Sequence, residues 1–231
     1  MRRPSPGPVP GDLPGGPSDA QEAPRPSIYV LAGVDGAGKS SIGGATFRQS
    51  GSDYFNPDEA TRRILEANPG ISLEEANSAA WLEGKRLLER AIAERLDFAF
   101  ETTLGGNTIP RLLETALAAG IEVRVWFVGL SSPELHIARV RARVAAGGHD
   151  IPEAKIRQRF DASRLNLIRL LPKLTELRVY DNSAEGNPIS GEVPQPRLIV
   201  HVAEGSVRER CALEEVPNWA KPIVLAAVRL R

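Results

Sequence analysis

Eight consecutive residues carry the clearest chemistry in this 231-residue chain: G-V-D-G-A-G-K-S, Gly33 to Ser40. They match G-x-x-x-x-G-K-[ST] without a gap, directly after the apolar, β-branched run SIYVLAG at 27–33. A loop that wraps a polyphosphate must turn its backbone N–H groups inward. Gly33, Gly36 and Gly38 supply the permissive dihedrals and leave room for phosphate oxygens. A helix beginning near Gly38 adds its positive dipole end. Lys39 can reach the β- and γ-phosphates as a point charge, and the Ser40 hydroxyl is the candidate ligand for Mg²⁺, which takes oxygen donors. Asp35, Ala37 and Ser41 complete the candidate nucleotide-binding segment. The expected cofactors are therefore ATP and Mg²⁺.

Three further clusters fit chemistry beside such a loop. The first is N-P-D-E, Asn56 to Glu59. Asp58 is the candidate general base for an acceptor hydroxyl; it is equally readable as the N-cap or a first-turn acid of a helix. The second is E-T-T, Glu101 to Thr103. Glu101, Thr102 and Thr103 suit a polyol or sugar acceptor, or Glu101 an outer role at Mg²⁺, and ordinary strand-end capping is the plain alternative. The third runs from Arg139 to Phe160 and is rich in arginine, with two helical stretches around Gly147–Gly148. This is the layout of a lid whose arginines neutralise phosphate charge in the transition state. Arg139 and Arg143 share a helix face; Arg141 points elsewhere, and Arg157 and Arg159 diverge. His149 reads as a residue of the lid turn, not as a metal ligand.

These residues need a scaffold. Strands are predicted at 27–33, 52–55, 98–103, 121–130 and in LRVYDNS, with one more in PRLIVHVAE. Helices fall between them: after the loop, in NPDEATRRILEA, in a long segment opened by an S-x-x-E capping box at Ser72 and Glu75, in IPRLLETALAAG ending on Gly120, and on both sides of the lid turn. Pro152 is expected in the first turn of the second lid helix, and a terminal helix is expected in PNWAKPIVLAAVRL. This alternation predicts a doubly wound α/β domain over residues 27–231 with a parallel sheet. Residues 1–26 hold eight prolines and four glycines and read as a disordered tail.

Composition removes several classes. Lys plus Arg and Asp plus Glu are both 29, which argues against a protein that blankets nucleic-acid phosphates. One cysteine, Cys211, leaves no internal disulfide and no multi-cysteine zinc site. No apolar run approaches a membrane span, and no apolar stretch follows Arg2 and Arg3, so a cytoplasmic protein is expected. Only five of the basic residues are lysines, and Lys39 is one of them. The N-K-x-D motif of GTPases and the LSGGQ-like motif of ABC-type ATPases are absent.

Taken together, LAGVDGAGKS, NPDEA, FETTL and RVAAGGHDIPEAKIRQRF, continuing into S-R-L-N-L, resemble the zeta-toxin-like family of P-loop kinases, in particular its short bacterial branch. The resemblance spans about 30 to 185. It implies a three-layer α/β P-loop NTPase fold of the kinase type, with a mostly parallel sheet and a helical lid around 139–160. It implies ATP-dependent phosphorylation of a hydroxyl on a small acceptor, UDP-N-acetylglucosamine in the best-known members. Carried onto this chain, Lys39 and Ser40 handle phosphates and Mg²⁺, and Asp58 falls at the base. Glu101 and Thr103 fall in the acceptor segment, and Arg143 and Arg159 match the phosphate-binding arginines, with Arg139 in reserve. The histidine of the family's segment after the base is missing from D-E-A-T-R-R-I-L-E-A-N-P. An inhibitory antitoxin would be a separate chain. Two alternatives stand beside the kinase: an ATP-binding regulatory protein with little catalysis, and a polynucleotide or other small-molecule kinase.

Overall fold

The structure, a computed structural model, describes residues 25–39, 42, 54–148, 150–184 and 195–230. The tail expected over 1–26 therefore lies outside the described residues except at Arg25 and Pro26. The helix expected after the phosphate loop does so except at Lys39 and Ile42.

Ser27–Ala32 forms β1, whose side chains are almost all buried, as an unalternated apolar run requires of a strand covered on both faces. Tyr54–Phe55 is β2, Phe98–Thr102 β3, Glu122–Gly129 β4 and Glu176–Asp181 β5. The sheet continues through β6, Arg197–Ala203, to β7, Ser206–Arg210. Strand order is β2-β3-β1-β4-β5-β6-β7. The first five strands are parallel, and β6 and β7 are antiparallel additions at one edge. β3 and β4 flank β1, so the phosphate loop leaves the sheet between the ends of its two neighbours.

The six described helices follow local signals. α1, Pro57–Ala67, starts on an Asn56 cap with Pro57 at its first position and Asp58 and Glu59 in the first turn. α2, Leu73–Glu94, has the reciprocal Ser72–Glu75 capping box. α3 is Thr108–Ala118, and α4, Pro133–Ala145, is capped by Ser132. α5 is Glu153–Leu170, with Pro152 at its N-cap, one residue earlier than the sequence pattern implied. α6, Lys221–Ala227, is shorter than the terminal apolar stretch. A large core joins one sheet face to the helices: Val125, Phe127 and Val179 meet Leu88, Leu113, Leu167 and Ile223. Burying each such side chain is worth about 1.5–3 kcal/mol. On the opposite face Leu31, Ala37, Ala99 and Val128 form a smaller cluster that holds the end of the phosphate loop on the sheet.

The C-terminal region differs from the single strand expected there. β6 and β7 are a hairpin whose two-residue turn, Glu204–Gly205, has positive φ at both positions (52° and 69°). That backbone matches the right-handed strand twist. The charged sequence SVRER hides β7 from a hydropathy pattern because it is an edge strand, largely solvated.

Candidate active site

The phosphate loop is shaped by contacts that only glycine permits. Gly33 has φ +146°, and a Cβ there would lie 2.3 Å from the Val128 carbonyl oxygen of β4. At Gly36 (φ +80°) a Cβ would lie 2.8 Å from the His136 carbonyl oxygen of α4. The loop is tied down on every side. Gly33 N donates to the Thr102 carbonyl (3.1 Å), and Ala37 N to that of Val34 (3.1 Å). Asn182, just after β5, donates from Nδ2 to the Ala37 carbonyl at 2.9 Å. Val34 packs with Ile137 and Val140 of α4 and Ile156 of α5 in a separate apolar cluster, so both lid helices rest on the loop.

His136 is the polar part of that contact. Its Nδ1 lies 2.8 Å from the Asp35 carbonyl oxygen and donates to it, since that oxygen can only accept. The ring meets Phe160 of α5 edge-on at 5.8 Å. Burial pushes the imidazole down from 6.5 to about 4; Lys39 and Arg139 act in the same direction, against the Asp35 contacts. The residue is therefore a neutral clamp at physiological pH.

Two arginine–carboxylate pairs cross the crevice. Arg159 of α5 donates from Nη1 to Asp35 Oδ2 at 2.7 Å. Arg143 of α4 approaches Asp58 of α1, Nη1 to Oδ2, at 3.6 Å. Arg143 occupies the last turn of α4, where Gly147 and Gly148 close the helix. Gly147 (φ +90°) donates to the Val144 carbonyl and Gly148 to that of Arg143, both at 2.9 Å. This is a Schellman turn. Arg139 lies beside Gly36 and donates to the Ala184 carbonyl at 3.2 Å. Arg141 and Arg157 turn outward to Glu153 and Glu134, as their helix positions required.

The other side of the site is organised around Glu101, which is buried at the end of β3. Tyr54 Oη donates to its Oε1, and Asn56 Nδ2 donates to the same oxygen at 3.0 Å. Asn56 Oδ1 accepts from Asp58 N (2.8 Å) and Glu59 N (3.3 Å). Glu101 thus fixes the cap that presents Asp58. Thr102 and Thr103 accept from Leu104 N and Gly105 N (3.0 and 3.4 Å). Asn166 of α5 holds the same turn by donating to the Leu104 and Gly106 carbonyls (2.8 and 2.9 Å). Ser40, Ser41 and His149 lie outside the described residues.

Pairwise contacts therefore link Asp35 with Lys39 and Arg159, and Asp58 with Arg143 and, through Asn56, with Glu101, near the C-terminal ends of the parallel strands, where ligands of open α/β sheets bind. Sequence reasoning missed His136, Asn166 and Asn182. Their partners lie 60 to 145 residues away, and no local signal marks them. The cap itself is Asn56 and not Asp58, which lies in the first turn; Asn-Pro ahead of a helical pattern is the local signal for it.

The model of the zeta toxin family matches residues 17–185. The chain belongs to the zeta toxin family. An uncharacterized protein of Haemophilus influenzae is 31% identical over 129 residues, 55% of this chain and 88% of that protein. Among solved structures, the AvrRxo1-ORF1:-ORF2 complex with ATP aligns with a TM-score of 0.62 at 17% identity. That alignment covers 89% of this zeta toxin family member, which spans only 64% of the AvrRxo1 chain. The PezAT chromosomal toxin–antitoxin system of Streptococcus pneumoniae aligns with a TM-score of 0.50 at 17% identity, over 71% of this chain and 72% of that one. At such identities the structural likeness establishes the fold, and the fold is that of P-loop kinases. Family and fold are those of P-loop phosphotransferases. Among the described residues no helix is long and apolar enough to cross a membrane.

Proposed function

We propose that this chain transfers the γ-phosphoryl group of ATP to a hydroxyl of a small acceptor. The observation that carries the reading is the pair of arginines that reach from the lid to the two walls of the crevice, Arg159 to the phosphate loop and Arg143 to Asp58. A half-exposed ion pair at 3.6 Å adds little stability, so the Arg143–Asp58 contact is better explained by where it puts the two groups.

In this reading Lys39 and the backbone N–H groups of the loop hold the polyphosphate. Asp58, whose carboxylate is 55% exposed, accepts the acceptor's hydroxyl proton as its oxygen attacks the γ-phosphorus. The new O–P bond forms as the bond to the β-phosphate oxygen breaks, and ADP leaves with those electrons. Arg143 and Arg159 offset the charge spread over the transferring group. Mg²⁺ is bound with few protein ligands and several phosphate oxygens and waters. Ser40 would be its protein ligand, and its contribution when bound is neutralisation of phosphate charge.

The finer reading rests on the family. The acceptor is a nucleotide sugar, with UDP-N-acetylglucosamine the first choice, and Glu101, Thr102 and Thr103 belong to its pocket. The protein works in the cytoplasm, and its inhibitor, an antitoxin, is a separate chain. The two-chain AvrRxo1 complex and the PezAT system support that arrangement. The test is incubation with labelled ATP and a panel of nucleotide sugars, sugars and oligonucleotides. Transfer to a nucleotide sugar is expected. Transfer to oligonucleotides alone would favour a polynucleotide kinase, and ATP binding with no labelled product would favour a regulatory protein. Lys39→Ala is expected to abolish turnover, and Asp58→Asn to keep ATP binding while phosphotransfer falls about 10²–10⁴-fold. Native transfer by Asp58→Asn would overturn the base assignment.

A further inference from the structure

Asp35 is an acid in the middle of a loop built to receive a polyanion. Its carboxylate is only 14% exposed and is held by Arg159 Nη1 at 2.7 Å. Its carbonyl is held from the other side by His136 Nδ1 at 2.8 Å. One residue of the loop is thus gripped by both lid helices, α4 through the histidine and α5 through the arginine. Burial alone would raise the Asp35 carboxyl, but Lys39 and Arg159 outweigh it and keep the group below the ordinary carboxylate range. The acid is therefore charged at neutral pH.

Arg159 is also seated from its stem. Gly105, in the turn after β3 that carries the acceptor-side threonines, leaves open the space the stem occupies. A Cβ on Gly105 would lie 2.7 Å from Arg159 Cγ. The side chain therefore lies on the acceptor-side turn while its head group rests on the phosphate loop. A guanidinium carries five N–H donors in a fixed plane, and Asp35 Oδ2 engages one nitrogen of it.

We propose that Asp35 is a positioning residue and not a phosphate ligand: it fixes the Arg159 guanidinium at the seam between donor loop and acceptor turn, so that the remaining N–H groups meet the γ-phosphate. The inference rests on the phosphotransfer reading above. It makes a prediction whose sign differs from that of simple electrostatics. A loop acid that merely repels phosphate, once neutralised, would let the more highly charged nucleotide gain most, so the preference for ATP over ADP would rise. A positioning acid, once neutralised, releases Arg159 from the γ-phosphate, so that preference falls.

The experiment is calorimetric titration of the full chain with ATP and with ADP, each with Mg²⁺, for wild type, Asp35→Asn, Arg159→Ala and the double variant. Each single substitution is expected to lower the ATP-over-ADP preference roughly tenfold, the scale of one charge-assisted hydrogen bond. The double variant is expected to lose no more than Arg159→Ala alone, and Asp35→Glu to recover part of the preference. A preference that rises or stays unchanged in Asp35→Asn overturns the inference, as do losses that multiply in the double variant. A wild-type chain that binds neither nucleotide overturns the phosphotransfer reading, and the inference falls with it. Should Asp35→Asn melt below the assay temperature, Asp35→Ser removes the same carboxylate and asks the same question. It is expected to lower the same preference; an undiminished preference there overturns the inference.

Discussion

Acidification from pH 7 to pH 5 is expected to weaken the folded state by about 2 kcal/mol through one side chain, His136. The ring is buried between the phosphate loop and the lid helices, donates to the Asp35 carbonyl, and has Lys39 and Arg139 as charged neighbours. Its value is pushed from 6.5 to about 4, chiefly by burial. Because the folded value lies below the ordinary one, the unfolded chain takes up the proton first. Stability from this residue is complete above about pH 6.5 and drains as pH falls towards 4. At about 1.4 kcal/mol per unit of displacement, the full loss approaches roughly 3 kcal/mol, with about 2 kcal/mol gone by pH 5. For a domain near 200 residues that corresponds to a fall in Tm of about 4–8 °C.

The assay is thermal and urea unfolding followed by circular dichroism at pH 7, 6, 5.5 and 5, for wild type and His136→Asn. The amide keeps an N–H for the Asp35 carbonyl and does not titrate. It leaves space, so the variant starts less stable, but its stability should be flatter across this window by about 2 kcal/mol. The lowered Asp35 carboxyl gives up its own contribution as pH falls through still lower values, outside the range measured. Wild type and variant losing stability in parallel between pH 7 and 5 would refute the reasoning, because the buried ring would then not be the group that takes up the proton.

Other perturbations separate site from scaffold. Asn56→Ala removes the α1 cap and a partner of buried Glu101, so it should cost about 1 kcal/mol in urea unfolding and also lower kcat by loosening Asp58. Gly129→Ala puts a Cβ 2.3 Å from the Trp219 ring; overpacking of about 1–3 kcal/mol should appear in the melting curve, with ATP affinity retained. Arg141→Ala breaks only an exposed pair with Glu153, so stability should stay within about 1 kcal/mol of wild type and ATP turnover should be unchanged.

The parts of the site that local chemistry dictates were legible in the sequence. The loop from Gly33 to Ser40 is contiguous, so its pattern of glycines, lysine and serine can be read without the fold. The Ser72–Glu75 box and the Asn-Pro start of α1 are decided within four residues. Asp58 and Glu101 were legible as candidates because strand ends of an alternating α/β pattern converge on one edge of the sheet. What was hidden is everything fixed by long-range packing. Asp35 reads in the sequence as one more residue of the nucleotide-binding segment, because the Arg159 that holds its carboxylate lies 124 positions away. Asn182 gives no hint of the Ala37 carbonyl 145 residues before it. β7 was missed for a different reason: an edge strand needs no apolar face, so its hydropathy resembles that of a loop.

The two crossing pairs differ in a way that bears on how such a crevice works. Arg143 and Arg159 are long side chains, and fixing a free one on a substrate gives up about 2 kcal/mol of rotamer entropy. A carboxylate that already holds the arginine has removed much of that loss before the substrate arrives. The hold must then be weak enough to release, or must leave donors free. Arg143–Asp58 is of the first kind, 3.6 Å apart and half exposed. The arginine can turn to phosphate when an acceptor hydroxyl claims Asp58. Arg159–Asp35 is of the second kind, tight at 2.7 Å with a mostly buried acid. There the guanidinium stays where it is, and phosphate meets the N–H groups that Asp35 does not use. On the proposed reading, one arginine is handed over during the reaction and the other is a fixed part of the donor site. Asp35→Asn should then act mainly on nucleotide preference and Asp58→Asn mainly on transfer.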